Sequence, residues 1–362
     1  MSKLSEVLDH LGGKEQLTSA LYSNVHWIYK SFKTNKYLGS SASRNILGQW
    51  AAPYPETTGY LIPTLLQGDR YLPDLGLSSL AEKQLHFFEN LRTPEGGYHS
   101  NIKSGKPIVF DVAQILLGCL TLVPYVDKPE ELLQEIELTR DWLRDLLNDE
   151  GRFISHHYIE DYQPTYYSRI AWPLAFAENV IDSKVSRRTK AMVDNILVLQ
   201  NDNHSFNDWG FRKGEAAYTH TIAYTLRGLW EYAEIVNSRS IKKQVTSTLK
   251  TLTTLIKNKN KVAATYDEKW AGNYNYICAA GNAQLALLYL IVYERTGREE
   301  YLDPLVILLL PLLKGQRQLS INRGALPSSL PIWGDYQKMK FTNWTQKFFA
   351  DALIKLLDLG KI

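Results

Sequence analysis

The sequence predicts an all-α fold: six outer/inner helix pairs closed into two concentric rings, the (α/α)6 barrel or toroid. Three observations predict it. Apolar helix starts recur near Glu56, Asp111, Tyr166, His220, Cys278 and Asn343, separated by 55, 55, 54, 58 and 65 residues. The segments they open, such as "DVAQILLGCLTLV" (111–123), are apolar nearly all round. The segments between them carry only a stripe: "LSSLAEKQLHFFENLRT" (77–93) sets Leu77, Leu80, Ala81, Leu85, Phe88 and Leu91 at i, i+3, i+4 spacing. A helix apolar on every side is enclosed by protein, whereas a striped helix lies at the surface. A repeated surface/enclosed pair builds two layers, and six copies without a polar terminal cap favour a closed ring over an open solenoid.

The inner helices follow in order. "ETTGYLIPTLLQG" (56–68) comes after Pro53 and Pro55 and begins on a carboxylate. The second begins at Asp111. The third, "YYSRIAWPLAFAENV" (166–180), contains Pro173, which predicts a kink or a later start. "HTIAYTLRGLWEYA" (220–233), "CAAGNAQLALLYLIVYERTG" (278–297) and "NWTQKFFADALIKLLDLG" (343–360) complete the set. Among the outer helices, "ELLQEIELTRDWLRDLLND" (131–149) repeats the stripe of 77–93. The Gly-aromatic stretches "GGYHS" and "GRFISHHY" leave room only for short strands. The expected organisation is one toroid domain over residues 1–362, with 1–20 as an N-terminal extension.

Composition narrows the function classes. With 44% hydrophobic and 22% charged residues the chain has material for a large core. The 41 basic and 38 acidic residues nearly cancel, so no nucleic-acid footprint is visible. "MSKLSEVLDHLGGKEQ" lacks an apolar signal core, and "PLVILLLPLL" (304–313) is too short to span a bilayer. The expectation is a soluble cytoplasmic protein with no membrane span. Cys119 and Cys278 do not form a C-x-x-C, and the His156-His157 pair is too little for a metal site. No phosphate loop, H-E-x-x-H, EF-hand loop or dinucleotide fingerprint occurs. No metal and no cofactor are expected.

In such a barrel the inner helices run parallel, and their N-termini gather at one mouth with free N–H groups and a partial positive potential. The candidate catalytic residues are those the repeat brings there. Glu56, Asp111 and Asp208 are carboxyls for acid/base work. His220 and Tyr224, one turn apart on one face, and Tyr167 are candidate proton shuttles. Arg169 is a candidate clamp for a sugar carboxylate. Trp50, Tyr54, Trp209, Arg212, Trp270, Asn282, Trp333, Asp335, Tyr336 and Asn343 are candidate substrate contacts; Trp and Tyr suit sugar faces as well as cores. Each has a structural alternative. An acid at a helix start caps it and favours its dipole, Asp208 fits a turn, and Arg169 can pair with Glu160 or Asp161.

"PYPETTGYLIPTLL", "FDVAQILLG", "THTIAYTLRGLWEYA", "CAAGNAQLALLYLIVYERTGREEYLD" and "GALPSSLPIWGDY…NWTQKFFADALI" together resemble a group of bacterial proteins associated with surface-polysaccharide biosynthesis, over residues 40–358. More broadly the chain resembles the (α/α)6 toroid superfamily: six-hairpin glycosidases, unsaturated glucuronyl hydrolases, polysaccharide lyases and the catalytic domain of glucuronyl C5-epimerases. The resemblance implies an oligosaccharide or polysaccharide substrate. Three functions follow. The first is glycoside hydrolysis by a carboxyl pair, with Glu56 as acid or base. The second is a uronate-directed lyase or C5-epimerase in which Tyr167, His220 and Tyr224 move the proton and Arg169 holds the carboxylate; the tyrosine-rich motifs of the C5-epimerases are not clearly matched. The third is a glycan-binding or scaffolding toroid without catalysis.

Overall fold

The computed structural model describes residues 2–102, 104–317 and 323–361. Thirteen α-helices occur among them. They are α1 (Lys3–His10), α2 (Gly13–Lys33), α3 (Pro55–Asp69), α4 (Leu77–Glu89), α5 (Val109–Leu122), α6 (Pro129–Asp145) and α7 (Ser168–Asp182), then α8 (Arg187–Leu197), α9 (Thr219–Ile235), α10 (Arg239–Lys259), α11 (Ala279–Thr296), α12 (Leu305–Arg317) and α13 (Asn343–Leu359). The odd-numbered helices from α3 to α13 form the inner ring. Each packs on the next, and α13 packs back on α3, which closes it. The (α/α)6 toroid is therefore the fold. The outer helices α4, α6, α8, α10 and α12 each lie on the inner helix before them, and α2 lies on α13. No described helix is long and apolar enough to cross a membrane.

The expected inner-helix starts fall within two residues of the observed ones. A late start occurs at α7, where Thr165–Tyr167 form a 3-10 turn and the α-helix begins at Ser168. α7 runs on through Pro173. A proline has no N–H to donate to the carbonyl four residues back, here that of Arg169. The Gln114 side chain on α5 supplies the missing donor, Nε2 to Arg169 O at 3.1 Å. Pro55 opens α3, where its fixed φ suits a first turn.

Close approach of the inner helices rests on glycine. A Cβ on Gly118 would lie 2.4 Å from the carbonyl oxygen of Gly59 across the α3–α5 contact. One on Gly281 would lie 2.6 Å from the backbone nitrogen of His220. Only a residue without a side chain lets these backbones meet.

The Gly-aromatic stretches form a repeated tight hairpin, closed by bridges between residues six apart: Arg44–Trp50, Arg92–Tyr98, Leu147–Phe153 and Gln200–Phe206. Tyr266–Gly272 repeats the interval in a small three-stranded sheet. Short strands also lead straight into inner helices, as Ala217–Tyr218 into α9, Ile277–Cys278 into α11 and Lys340–Thr342 into α13. They knit the loops at the N-terminal mouth of the barrel.

Candidate active site

None of the six inner helices has its N-terminus closed by a side-chain cap, whereas serines cap α1, α8 and α10. Glu56 and Asp111 stand in the first turns of α3 and α5 but cap neither. Their carboxyls point elsewhere.

A cavity of about 360 Å³ opens at this mouth. Six tyrosines line it: Tyr54, Tyr60, Tyr158, Tyr166, Tyr224 and Tyr336. Phe110, Phe211 and Trp344 add aromatic faces, and Glu56, His220, Arg212 and Gln337 add polar groups. Tyr60 follows Glu56 by one turn on α3, and Tyr224 follows His220 by one turn on α9, so each pair shares a helix face. Trp344 Nε1 donates to the Tyr336 hydroxyl at 2.8 Å, fixing both rings.

Glu56 lines the cavity and is 7% exposed. No salt bridge reaches it among the described residues. Burial pushes its carboxyl well above the usual range, the nearby Asp111 pushes it further, and the Arg169 guanidinium opposes both. Asp111, 1% exposed, lies behind the wall. The Tyr158 hydroxyl donates to its Oδ1 and the Tyr54 hydroxyl to its Oδ2 at 3.3 Å, while the two hydroxyls lie 2.7 Å apart. Burial raises Asp111 to about 7, and the two phenols hold it down against that push. Both carboxyls are thus pushed toward the protonated form, Asp111 to about 7 and Glu56 well above its ordinary range. A buried carboxyl pair whose proton affinities are raised by its surroundings is an arrangement acid/base chemistry can use.

His220 is buried among Tyr224, Tyr336 and Phe211, with ring centroids at 4.4, 5.4 and 6.0 Å. Burial, and then Arg169, depress it to about 3, so the ring is neutral. The Gln284 amide nitrogen on α11 lies 2.5 Å from His220 Nδ1. A ring accepting there carries its proton on Nε2 and offers a ligand an N–H.

Of the residues expected at the mouth, the structure brings Glu56, Tyr54, Arg212, His220, Tyr224 and Tyr336 to the cavity and sets Asp111 directly behind it. It places the others elsewhere. Arg169 is 3% exposed, donates to Gln114 Oε1 at 2.8 Å and stacks between Trp172 and Tyr224, so its charge acts from below. Tyr167 packs on Phe153 and His157. Asp208 has φ 52°, and its carbonyl accepts from Thr165 N at 2.9 Å, the role of a turn residue. Trp209 and Trp270 pack on each other at 5.2 Å in the adjoining hairpin, and Trp50 packs on Trp27 at 4.8 Å. Asn282 donates to Leu308 O, and Asn343 ties Ser31, Ser40 and Ser41 together, both inside the core. Trp333 is 64% exposed and Asp335 is exposed, and neither lines the cavity.

The sequence reading missed Tyr60, Phe110, Tyr158, Phe211 and Gln284 as site residues. Tyr60 was within reach, since the one-turn argument that picks Tyr224 from His220 also picks Tyr60 from Glu56. The other four carry no such signal.

No protein-family profile and no curated protein matches the sequence. Solved structures do. An unsaturated glucuronyl hydrolase from Bacillus sp. GL1 superposes with TM-score 0.73 at 12% identity, over 94% of this chain and 96% of that one. Cellobiose 2-epimerase from Bacillus thermoamylovorans gives 0.72 at 11%, over 96% and 99%. An α-amylase from Clostridium perfringens gives 0.66 at 12%, over 93% and 97%. At these identities the likeness is one of fold, and it agrees with the resemblance to carbohydrate-active toroids noted in the sequence.

Proposed function

We propose that the protein is a carbohydrate-active hydrolase in which Glu56 is the general acid and Asp111 the general base. The observation that carries this reading is the pair of buried carboxyls on adjacent inner helices: Glu56 on an aromatic cavity, raised well above the ordinary carboxylate range, and Asp111 behind two phenols, raised to about 7. Glycoside hydrolysis needs one carboxylic acid to protonate the leaving oxygen and one carboxylate to activate water or attack directly. The tyrosine-rich wall offers flat faces to pyranose rings and hydroxyls to their edges. The likeness to a hydrolase of unsaturated glucuronides, an epimerase and an amylase supports a saccharide substrate. The sequence resemblance points to an oligosaccharide of a bacterial surface polysaccharide or its precursor.

One observation favours a second reading. His220 is held neutral at the cavity, as a base abstracting a proton beside a carbonyl must be, which fits an epimerase or lyase. It requires the Gln284 amide to present its oxygen to Nδ1, leaving Nε2 free to accept; the arrangement found has the nitrogen there.

The test incubates the protein with neutral and uronate-containing bacterial oligosaccharides in heavy water. A new reducing end without deuterium on carbon supports hydrolysis. Deuterium at a carbon beside a carbonyl or carboxylate, or a new unsaturated sugar, sinks it in favour of His220. In the hydrolase, Glu56→Gln lowers kcat by roughly 10²–10⁴-fold, the usual weight of a general acid.

A further inference from the structure

Asp111 does not line the cavity; two tyrosine hydroxyls stand over it, and they are held very differently. Tyr54 immediately precedes α3. Its amide donates to Ser40 O at 2.9 Å, and its carbonyl accepts from Thr58 N at 3.0 Å and Thr58 Oγ1 at 2.8 Å. Tyr158 belongs to the connection between α6 and α7, flanked by left-handed backbone at His156 (φ 67°) and Asp161 (φ 57°). The residue is 44% exposed, yet its hydroxyl turns inward to Asp111. Beyond the same side chain lies a second cavity of about 800 Å³, lined also by Asn148, Arg152, His157 and Gln163. Tyr158 is thus a partition between two spaces, with room on its outer side.

We propose that Tyr158 is a positioning residue: it holds the Asp111 carboxylate in the empty site and gives way to the ligand, whose hydroxyl or attacking water takes its place on Asp111. The inference rests on Asp111 being the general base. A carboxylate at 1% exposure cannot stay ionised without donors. A phenol O–H and a sugar or water O–H are the same kind of donor, so one replaces the other at little cost. Tyr54, tied at its backbone, stays and keeps the carboxylate in place. The other ionisable groups facing Asp111 are Glu56 on α3 and Tyr166 and Tyr167 in the turn before α7. None of these donates to it.

Tyr158→Phe keeps the ring and removes the donor. Two readouts test the idea. In the free protein, carbon NMR of the Asp111 carboxyl should show its titration moving alkaline by roughly one pH unit, tenfold in proton affinity. In kinetics, the acid limb of kcat/KM, which reports the free enzyme, should move with it, while the acid limb of kcat, which reports the complex, should stay. Tyr54→Phe should move both limbs. If both limbs move in Tyr158→Phe, the tyrosine never leaves Asp111 and the displacement is wrong. If the NMR titration is alike in the two proteins, Tyr158 does not hold Asp111 at all. That titration needs no turnover, so failure to convert any glycan counts against the hydrolase reading alone.

Discussion

The inner helices carry charge at two levels, and the two are built on opposite plans. At the mouth, Glu56 and Asp111 are buried with no cation paired to either among the described residues, and both are pushed toward protonation. Deeper along the same helices two pairs of opposite charge stand one turn apart. Lys347 pairs with Asp351 on α13, and Arg227 with Glu231 on α9 at 2.6 Å. Thr64 on α3 bonds both Lys347 and Asp351, at 3.2 and 2.7 Å, tying α3 to α13 where the ring closes. The deep level spends its charges on holding the barrel. The mouth leaves its carboxyls without a cation, which costs stability and marks them as candidates for function.

The sharpest way to break this comparison is to remove a deep partner. Lys347→Met leaves the mostly enclosed Asp351 carboxylate beside Thr64 without its cation. Removing one member of a buried pair should cost about 3–5 kcal/mol of unfolding free energy, read by denaturant unfolding. A loss no larger than that of an exposed pair, about 0–1 kcal/mol, would show that the two levels do not differ. Mutations at the mouth should do the reverse. Asp111→Asn should raise the melting temperature by a few degrees at pH 8 and lose that gain near pH 4. The sign follows from Asp111 titrating at about 7 in the folded chain against an ordinary 3.8. Between those values the folded state keeps a proton the unfolded state has released, so stability falls as pH rises through the window. Asparagine removes the slope. A melting temperature that drops at both pH values would mean that the Tyr54 and Tyr158 contacts outweigh the buried charge.

The effect confined to acid pH belongs to His220 and has the opposite slope. Its folded value of about 3 lies below the ordinary 6.5. Its contribution is therefore complete above pH 6.5 and is lost as pH falls toward 3, where the unfolded ring binds a proton first. His220→Gln should flatten the acid side of the stability curve and leave the neutral side within a degree or two. Unchanged acid sensitivity in that variant would place the titrating group elsewhere.

How far the site was legible follows the same division. Glu56, His220 and Tyr224 could be found because they break the apolar pattern of enclosed helices at the mouth end, and a polar side chain there has few structural uses. Arg169 and Asn343 break the pattern too, yet they serve neighbouring helices: Arg169 reaches Gln114, and Asn343 reaches three serines on and after α2. A polar residue on an enclosed helix announces a partner without saying whether the partner is protein or ligand. Trp50, Trp209 and Trp270 show the same ambiguity for aromatics, since a ring that suits a sugar also suits the back of a hairpin.

The sequence by itself determined the ring of six pairs, because the alternation of enclosed and striped helices at a near-constant interval is a one-dimensional property of burial. It also determined that Glu56 stands at the mouth, because parallel inner helices put all their starts on one side. The tertiary structure alone decided which loop side chains reach that mouth. Tyr158 lies 47 residues from Asp111 in the chain, on a segment with no periodic constraint, and reaches it only because the connection between α6 and α7 folds back over the start of α5. It alone also decided the protonation pattern, since desolvation and hydroxyl donors depend on what surrounds a carboxyl in space, which local sequence does not encode.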